Sequence, residues 1–244
     1  MGELAVRLAT LPLAPWAIVQ GRRVRTGMPP MCAAAGEPRG TVEAGGVALR
    51  LLVLGESTVA GCGIATQDEA LGAQTARALA ALCRRTVHWH AVGRIGVTAR
   101  QTARDLEAPV AGVPRADVLV VALGVNDVMR QTPAAAFARD LAAVIAMARR
   151  HHGPLPVVLA GVPPVGSFPA LPQPLRALLG LRAWWLDRAA VRLAAAGPRV
   201  AHAPTRIPGG LRHLFAADGF HPSAAGDAVW GAALAAAAAP LVPA

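Results

Sequence analysis

The chain has 244 residues, of which 54% are hydrophobic, so its length allows one or two domains and its composition excludes a disordered chain. The net charge of +10 comes from arginine alone, because the sequence contains no lysine. These arginines are scattered and tyrosine is absent, and this pattern argues against nucleic-acid binding. An attraction to anionic substrates or to lipid headgroups stays open.

The three cysteines are few and widely separated. Cys32, Cys62 and Cys83 have the spacing of neither a disulfide framework nor a zinc site. A reducing compartment suits such a set, and we predict that the protein is cytoplasmic.

The first 47 residues are rich in Pro, Gly and Ala and show no hydrophobic period. We interpret residues 1–47 as an extended N-terminal arm and residues 48–244 as one catalytic domain. The uncharged stretch 8–21 contains Pro12 and Pro15 and is too short to cross a bilayer. It is expected to pack across the domain surface, with a weak contact to a membrane surface as the alternative, which would make the protein peripheral.

Strands and helices alternate from residue 49 onward. Short apolar runs predict strands, and apolar residues at helical spacing predict the segments between them. This alternation predicts a parallel five-stranded sheet with helices on both faces. The strands are expected at 49–54, 87–92, 118–123, 157–160 and 200–203, and the helices at 69–85, 98–106, 134–150, 175–196 with a break at Gly180, and 223–239.

Four polar motifs follow strands or precede the last helix. Ser57 ends the first strand in LLVLGES, and Gly96 lies in the turn VGRIGVTAR after the second. Asn126 belongs to GVND after the third strand, and DGFHPS carries Asp218 and His221 before the last helix. Each motif alone is consistent with an ordinary turn or helix cap. Together they lie where parallel sheets place their sites, at the carboxyl ends of the strands.

These side chains are those that acyl transfer requires. Ser57 is a weak nucleophile that needs a base, and His221 can accept its proton. Asp218, three residues earlier, can fix the orientation of the imidazole. The backbone N–H groups of Ser57 and Gly96 and the side-chain amide of Asn126 can stabilise an oxyanion.

The four motifs resemble the conserved blocks of the SGNH/GDSL hydrolase family, in the family's order, over about residues 49–238. The resemblance implies a flavodoxin-like three-layer α/β/α fold and an esterase or lipase that uses no metal or other cofactor. It implies Ser57 as nucleophile, Asp218 and His221 as the rest of the triad, and Gly96 and Asn126 in the oxyanion hole. The first block departs from the usual Gly-Asp-Ser-Leu, because Glu56 and Thr58 flank the serine here.

The proline-rich apolar segment 161–185 leaves the fourth strand at the same edge of the sheet. Phe168, Leu171 and Leu175 could form one wall of an acyl pocket. Ordinary core packing explains the same residues equally well.

The sequence therefore predicts a serine hydrolase that cleaves carboxylic esters or thioesters of small to medium acyl groups. Acyl transfer to, or deacetylation of, a carbohydrate or another alcohol would use the same residues. A non-catalytic module that binds lipid and a flavodoxin-like nucleotide-binding protein are alternatives from other classes. The expected partner is a small acyl ester, with no metal and no nucleic acid.

Overall fold

A computed structural model of the chain describes residues 3, 10–205 and 211–242. Residues 8 and 9, the first two of the uncharged stretch, lie outside these ranges, as do 206–210 and 243–244 at the end of the catalytic domain. The strands are β1 Arg39–Val42, β2 Leu49–Gly55, β3 Val87–Gly93, β4 Val118–Ala122, β5 Val157–Ala160 and β6 Val200–Ala203. The helices are α1 Ala14–Gly27, α2 Leu71–Cys83, α3 Ala99–Asp105, α4 Glu107–Ala111, α5 Val125–Met129, α6 Ala134–His152, α7 Leu175–Ala196 and α8 Ala224–Ala238.

The described strands form one six-stranded sheet in the order β1-β3-β2-β4-β5-β6. Strands β2 to β6 are parallel to one another, and their order corresponds to the 2-1-3-4-5 order of flavodoxin-like folds. The predicted fold class is therefore confirmed, but the prediction of five strands is wrong. The sixth strand, β1, pairs antiparallel with β3 at the edge of the sheet.

Both faces of the sheet are buried, as continuous apolar strands predict. Leu51 and Val53 of β2 face a core layer formed with α2 and α8. Leu52 and Leu54, the alternate residues of the same strand, face a larger layer that includes α3, α6 and α7. The central strands are thereby fixed in register, and so are the loops at their ends.

The N-terminal arm is not extended throughout. Its described part contains α1 and β1, and the expectation of an extended segment is wrong for the helix α1. Helix α1 buries no residue completely, which explains why no helical pattern of core residues marks it in the sequence. The division of the chain into an arm and a catalytic domain stays a prediction.

Helix α7 is continuous through Gly180, so the predicted break there is wrong. Because Gly180 has no side chain, the loop that contains Gly166 packs closely against the helix at this point. A Cβ at this position would lie 2.7 Å from the Cα of Gly166. The glycine therefore allows the loop after β5 to approach the helix.

One described stretch, Ala224–Leu241, is long and apolar enough to cross a membrane by length and composition. It comprises α8 and the turn that follows. Leu234, Ala235 and Ala238 of this stretch are buried against the sheet and α2. We therefore interpret α8 as a core helix of the domain.

Candidate active site

The carboxyl ends of three neighbouring strands form the site. Ser57 follows β2, Gly96 follows β3, and Asn126 lies in the first turn of α5 after β4. Strand β2 lies between β3 and β4. After β2 the chain first adds β3 on one side of it and then returns to add β4 on the other side. This reversal is the switch point at which open α/β sheets bind ligands.

A hydrogen-bonded chain links the predicted nucleophile, base and acid. Nε2 of His221 lies 3.0 Å from Oγ of Ser57. Nδ1 of the same imidazole lies 2.6 Å from Oδ2 of Asp218. Ser57 and His221 are buried, so water competes little with these contacts. The arrangement allows His221 to accept the serine proton while Asp218 holds the ring.

The short loop before α8 holds the Asp218 carboxyl group in place with backbone hydrogen bonds. Oδ1 of Asp218 accepts the backbone N–H groups of Phe220 at 2.9 Å and His221 at 3.0 Å. Burial raises the pKa of Asp218, but the hydrogen bond from the His221 side chain and the two backbone donors outweigh it, and the net shift is downward. Asp218 is therefore ionised, as a partner of an imidazolium must be.

Three donors border the position that an oxyanion would occupy. Ser57, Gly96 and Asn126 line one cleft. Neither the backbone N–H of Ser57 nor that of Gly96 donates a hydrogen bond to another described residue. Gly96 has φ +79, a left-handed conformation that favours glycine. Two unpaired amides beside the nucleophile can stabilise developing negative charge.

Glu56 supports the third donor. Its buried carboxyl group accepts the backbone N–H groups of Val125 and Asn126, each at 2.9 Å. It also accepts one N–H of the Asn126 side chain, so the second N–H of that amide remains for a ligand. Burial raises the pKa of Glu56 to about 7, although these hydrogen bonds oppose the shift. The sequence analysis identified Glu56 only as a departure from the usual motif, and its place directly before the nucleophile was the available signal.

Asp127 connects two of the oxyanion loops. It is completely buried, and its Oδ2 accepts the backbone N–H of Ala99 at the start of α3 at 2.9 Å. Burial raises the pKa of Asp127, and the hydrogen bond from Ala99 lowers it in part. This contact joins the loop of Gly96 to the loop of Asn126, and so helps to fix their relative position.

An apolar groove leads away from Ser57 and His221. It has a volume of about 510 Å³ and lies between the end of β6 and helix α8. Phe168, one of the three predicted pocket residues, lines it. The prediction is wrong for Leu171 and Leu175, which do not line it and pack in the core layer that includes α7. On the α8 side the groove is lined by Gly226, Val229, Trp230, Ala233, Ala236 and Ala237.

Two histidines of β3 lie near the edge of the sheet, away from this site. His88 and His90 of β3 face the edge strand β1, where Nδ1 of His88 lies 2.8 Å from Oγ1 of Thr41. In the described ranges, no group of three or more His, Cys, Asp or Glu side chains is placed to hold a metal ion.

Comparisons with known proteins agree with this geometry. The model of the GDSL-like lipase/acylhydrolase family matches residues 53–229. A GDSL-like esterase of Mycobacterium tuberculosis is 30% identical over 188 residues, which are 72% of this chain and 57% of that protein. The chain thus spans little more than half the length of this curated relative.

Solved structures of low sequence identity share the fold. A lipase from a goat rumen metagenome is 17% identical with a TM-score of 0.62, over 78% of this chain and 97% of that one. An inhibitor-bound aryl esterase of M. smegmatis is 19% identical with a TM-score of 0.60, over 80% of this chain and 100% of that one.

Proposed function

Because the chain belongs to the GDSL-like lipase/acylhydrolase family, we propose that it hydrolyses carboxylic esters or thioesters of small to medium acyl groups through an acyl-serine intermediate. The single observation that carries this proposal is the hydrogen-bonded chain from Ser57 through His221 to Asp218. A binding module has no need of a serine, a base and an acid in this geometry.

In the first half-reaction, Oγ of Ser57 attacks the carbonyl carbon of the ester. Nε2 of His221 takes the serine proton, and Asp218 stabilises the resulting imidazolium. The carbonyl oxygen becomes an oxyanion beside the N–H groups of Ser57 and Gly96 and the free N–H of Asn126. Each such donor is worth about 3 kcal/mol of transition-state stabilisation.

Collapse of this intermediate breaks the bond to the leaving group. His221 then gives its proton to the departing oxygen or sulfur atom, and the acyl group remains on Ser57. In the second half-reaction a water molecule loses a proton to His221 and attacks the acyl-serine. The acid is released, and Ser57 recovers its proton from His221.

The apolar groove beside Ser57 suits the acyl chain. It follows α8 from Gly226 to Ala237, a distance of about 16 Å at the rise of an α-helix. Its volume of about 510 Å³ falls within the range of small-molecule sites. The groove therefore favours an unbranched acyl chain over a bulky acid.

Hydrolysis of p-nitrophenyl acetate, butyrate, octanoate and palmitate by the wild-type protein and by Ser57→Ala tests the proposal. We expect turnover by the wild type with a maximum at butyrate or octanoate, and none above background in the variant. Full activity in folded Ser57→Ala, or no activity of the wild type on any of these esters, would contradict it.

A further inference from the structure

The cleft lined by Ser57, Gly96 and Asn126, here called the second cleft, meets the apolar groove at the nucleophile. Its volume is about 590 Å³, and it contains Ser57 and His221 together with the oxyanion residues Gly96 and Asn126. Its other wall is the last part of helix α1, which the family match does not include. A substrate that reacts at Ser57 thus has room on two sides, one along α8 and one under α1.

Hydrogen bonds anchor α1 over this cleft. The side chain of Gln20 donates to the carbonyl of Gln173 at 2.7 Å and accepts the backbone N–H of Leu175 at 3.1 Å. Ala17 and Val24 on the inner face of the helix pack against the core layer of α7. The side chains of the following turn are therefore held near the site by the fold.

Three arginines line the cleft, namely Arg22 and Arg25 of α1 and Arg130 after α5. No carboxylate is found among the described residues that line it. Arg22 and Arg25 form no ion pair with a described acid, whereas Arg104 and Arg150 each pair with one. Nη2 of Arg130 donates to the carbonyl of Gly96 at 3.2 Å, which places its guanidinium beside the oxyanion loop.

We propose that the substrate is an ester whose leaving group carries a phosphate or carboxylate, which Arg22, Arg25 and Arg130 bind while the acyl chain occupies the groove along α8. This inference rests on the proposed esterase function. Guanidinium groups suit such anions because their N–H donors match two oxygens at once. The net charge of +10 would also attract an anionic substrate from solution.

The same anion has two sources, a dissolved acyl compound and a lipid headgroup. Helix α1 also exposes Trp16 and Val19, which do not line the cleft, with exposed fractions of 64% and 48%. Apolar side chains next to arginines are typical of helices that lie on anionic bilayers. A test has to separate these two sources.

The test uses an octanoyl ester of a nitrophenol that carries a carboxylate, and the same compound with the carboxylate blocked as an amide. We expect Arg22→Gln/Arg25→Gln to raise KM for the anionic ester roughly tenfold and to leave kcat/KM for the blocked ester unchanged. Added salt should weaken the wild-type preference for the anionic ester. Arg23→Gln is the matched control, since Arg23 is exposed on the same helix but does not line the cleft.

A second arm compares the release of fatty acid from vesicles of phosphatidylglycerol and of digalactosyldiacylglycerol, a neutral bilayer lipid whose headgroup carries no phosphate. If Arg22→Gln/Arg25→Gln loses activity only on the dissolved anionic ester, the natural substrate is a soluble anion. If the variant loses activity only on phosphatidylglycerol, the arginines bind a lipid headgroup. Equal effects of the arginine substitutions on anionic and neutral substrates in both arms would overturn the inference but leave the esterase function intact. No turnover of either ester by the folded wild type would overturn both.

Discussion

Glu56 and Asn126 define how the third oxyanion donor is held. The carboxyl group of Glu56 meets three N–H groups, two from the backbone of α5 and one from the Asn126 side chain. A carboxylate can accept all of them, because it has acceptor sites only. We therefore expect the residue before the nucleophile to position the Asn126 amide that acts on the substrate.

Glu56→Gln should lower kcat roughly tenfold with little change in KM, because an amide presents one acceptor and one donor to three donors. The misplaced Asn126 then stabilises the oxyanion less, while the binding groove is unaltered. Kinetics with p-nitrophenyl butyrate would measure both constants. Glu56→Asp restores the carboxylate of the usual family motif and should recover most of kcat. Equal losses in the two variants would show that only packing matters here.

Asp218→Asn should lower kcat by about 10³-fold to 10⁴-fold, because an amide cannot stabilise the imidazolium of His221 or enforce its tautomer. The lowered pKa of Asp218 means that the wild type keeps this carboxylate ionised to lower pH than an ordinary aspartate. Steady-state kinetics with the same ester would measure the loss. Asp68→Asn, at an exposed position outside both clefts, is the control. Unchanged kcat in Asp218→Asn would remove Asp218 from the mechanism.

Some residues of the site can be predicted from the sequence, because their polar side chains directly follow apolar strands or precede the last helix. Ser57, Asn126 and His221 belong to that group, and the structure brings them together with Asp218 and Gly96. The role of Glu56 depends on the position of α5, a short helix that begins within GVND. Leu171 and Leu175 show the opposite problem, since the sequence does not distinguish an apolar residue that lines a groove from one that lies in the core.

Small side chains of helix α8 form one wall of the apolar groove. Ala233, Ala236 and Ala237 line the groove, while Leu234 and Ala235 on the other face pack against α2 and the sheet. The length of free groove is thus set by what projects from one face of this helix.

Ala233→Phe should shorten the preferred acyl chain, because its ring would fill the groove between Val229 and Ala237. We expect kcat/KM for p-nitrophenyl octanoate to fall about tenfold or more and that for acetate to stay the same. Ala232→Phe, on the exposed side of α8 and outside the groove, is the matched control. An unchanged chain-length profile in Ala233→Phe would place the acyl chain elsewhere.

Elements with a strong burial pattern were predicted well, and those without one were missed. Strand β5 matches its predicted range, and α3 lies within one residue of its predicted range at each end, with Thr98 as its N-cap. Helix α1 lies on the surface with no fully buried residue, and β1 is a four-residue edge strand, so neither has a clear period. Of these two missed elements, α1 forms one wall of the second cleft and β1 is the sixth strand of the sheet.

At the scale of the whole molecule, the fold class was predictable because repeated strand-to-helix alternation leaves few topologies. The family was predictable because four motifs of the sequence resemble the blocks of that family. The match to the family confirms that identification. What the alternation does not reveal is the energetic cost of buried acids. Asp227 in the first turn of α8 is completely buried, and among the described residues neither of its carboxyl oxygens has a hydrogen-bond partner in normal geometry.

The contribution of Asp227 and Glu56 to stability should therefore fall as pH rises. Burial raises the pKa of Asp227 well above its usual value, and the nearby N–H of Leu71 offsets this only in part. Burial likewise raises the pKa of Glu56 from 4.5 to about 7. The folded chain retains these protons after the unfolded chain has lost them. Each group then costs up to about 1.4 kcal/mol per pH unit, from its unfolded pKa up to its folded pKa.

Thermal unfolding of the wild type and of Asp227→Asn between about pH 4 and pH 8 tests this account. The difference in Tm between the two proteins should be smallest at the acid end, because the aspartate of the unfolded chain has a pKa of about 3.9 and begins to take up its proton there. The variant should be the more stable at the alkaline end, since its amide never ionises. Parallel curves of Tm against pH would show that Asp227 does not contribute.

The most direct test of the central claim is to find the covalent intermediate. The protein is treated with a fluorophosphonate, which forms a stable adduct with an activated serine, and the modified peptide is identified by mass spectrometry. We predict one adduct per chain, on Ser57, with loss of esterase activity in proportion to labelling and no adduct in Ser57→Ala. Esterase activity that survives complete labelling of Ser57, or an adduct on another residue that abolishes activity, would contradict the account.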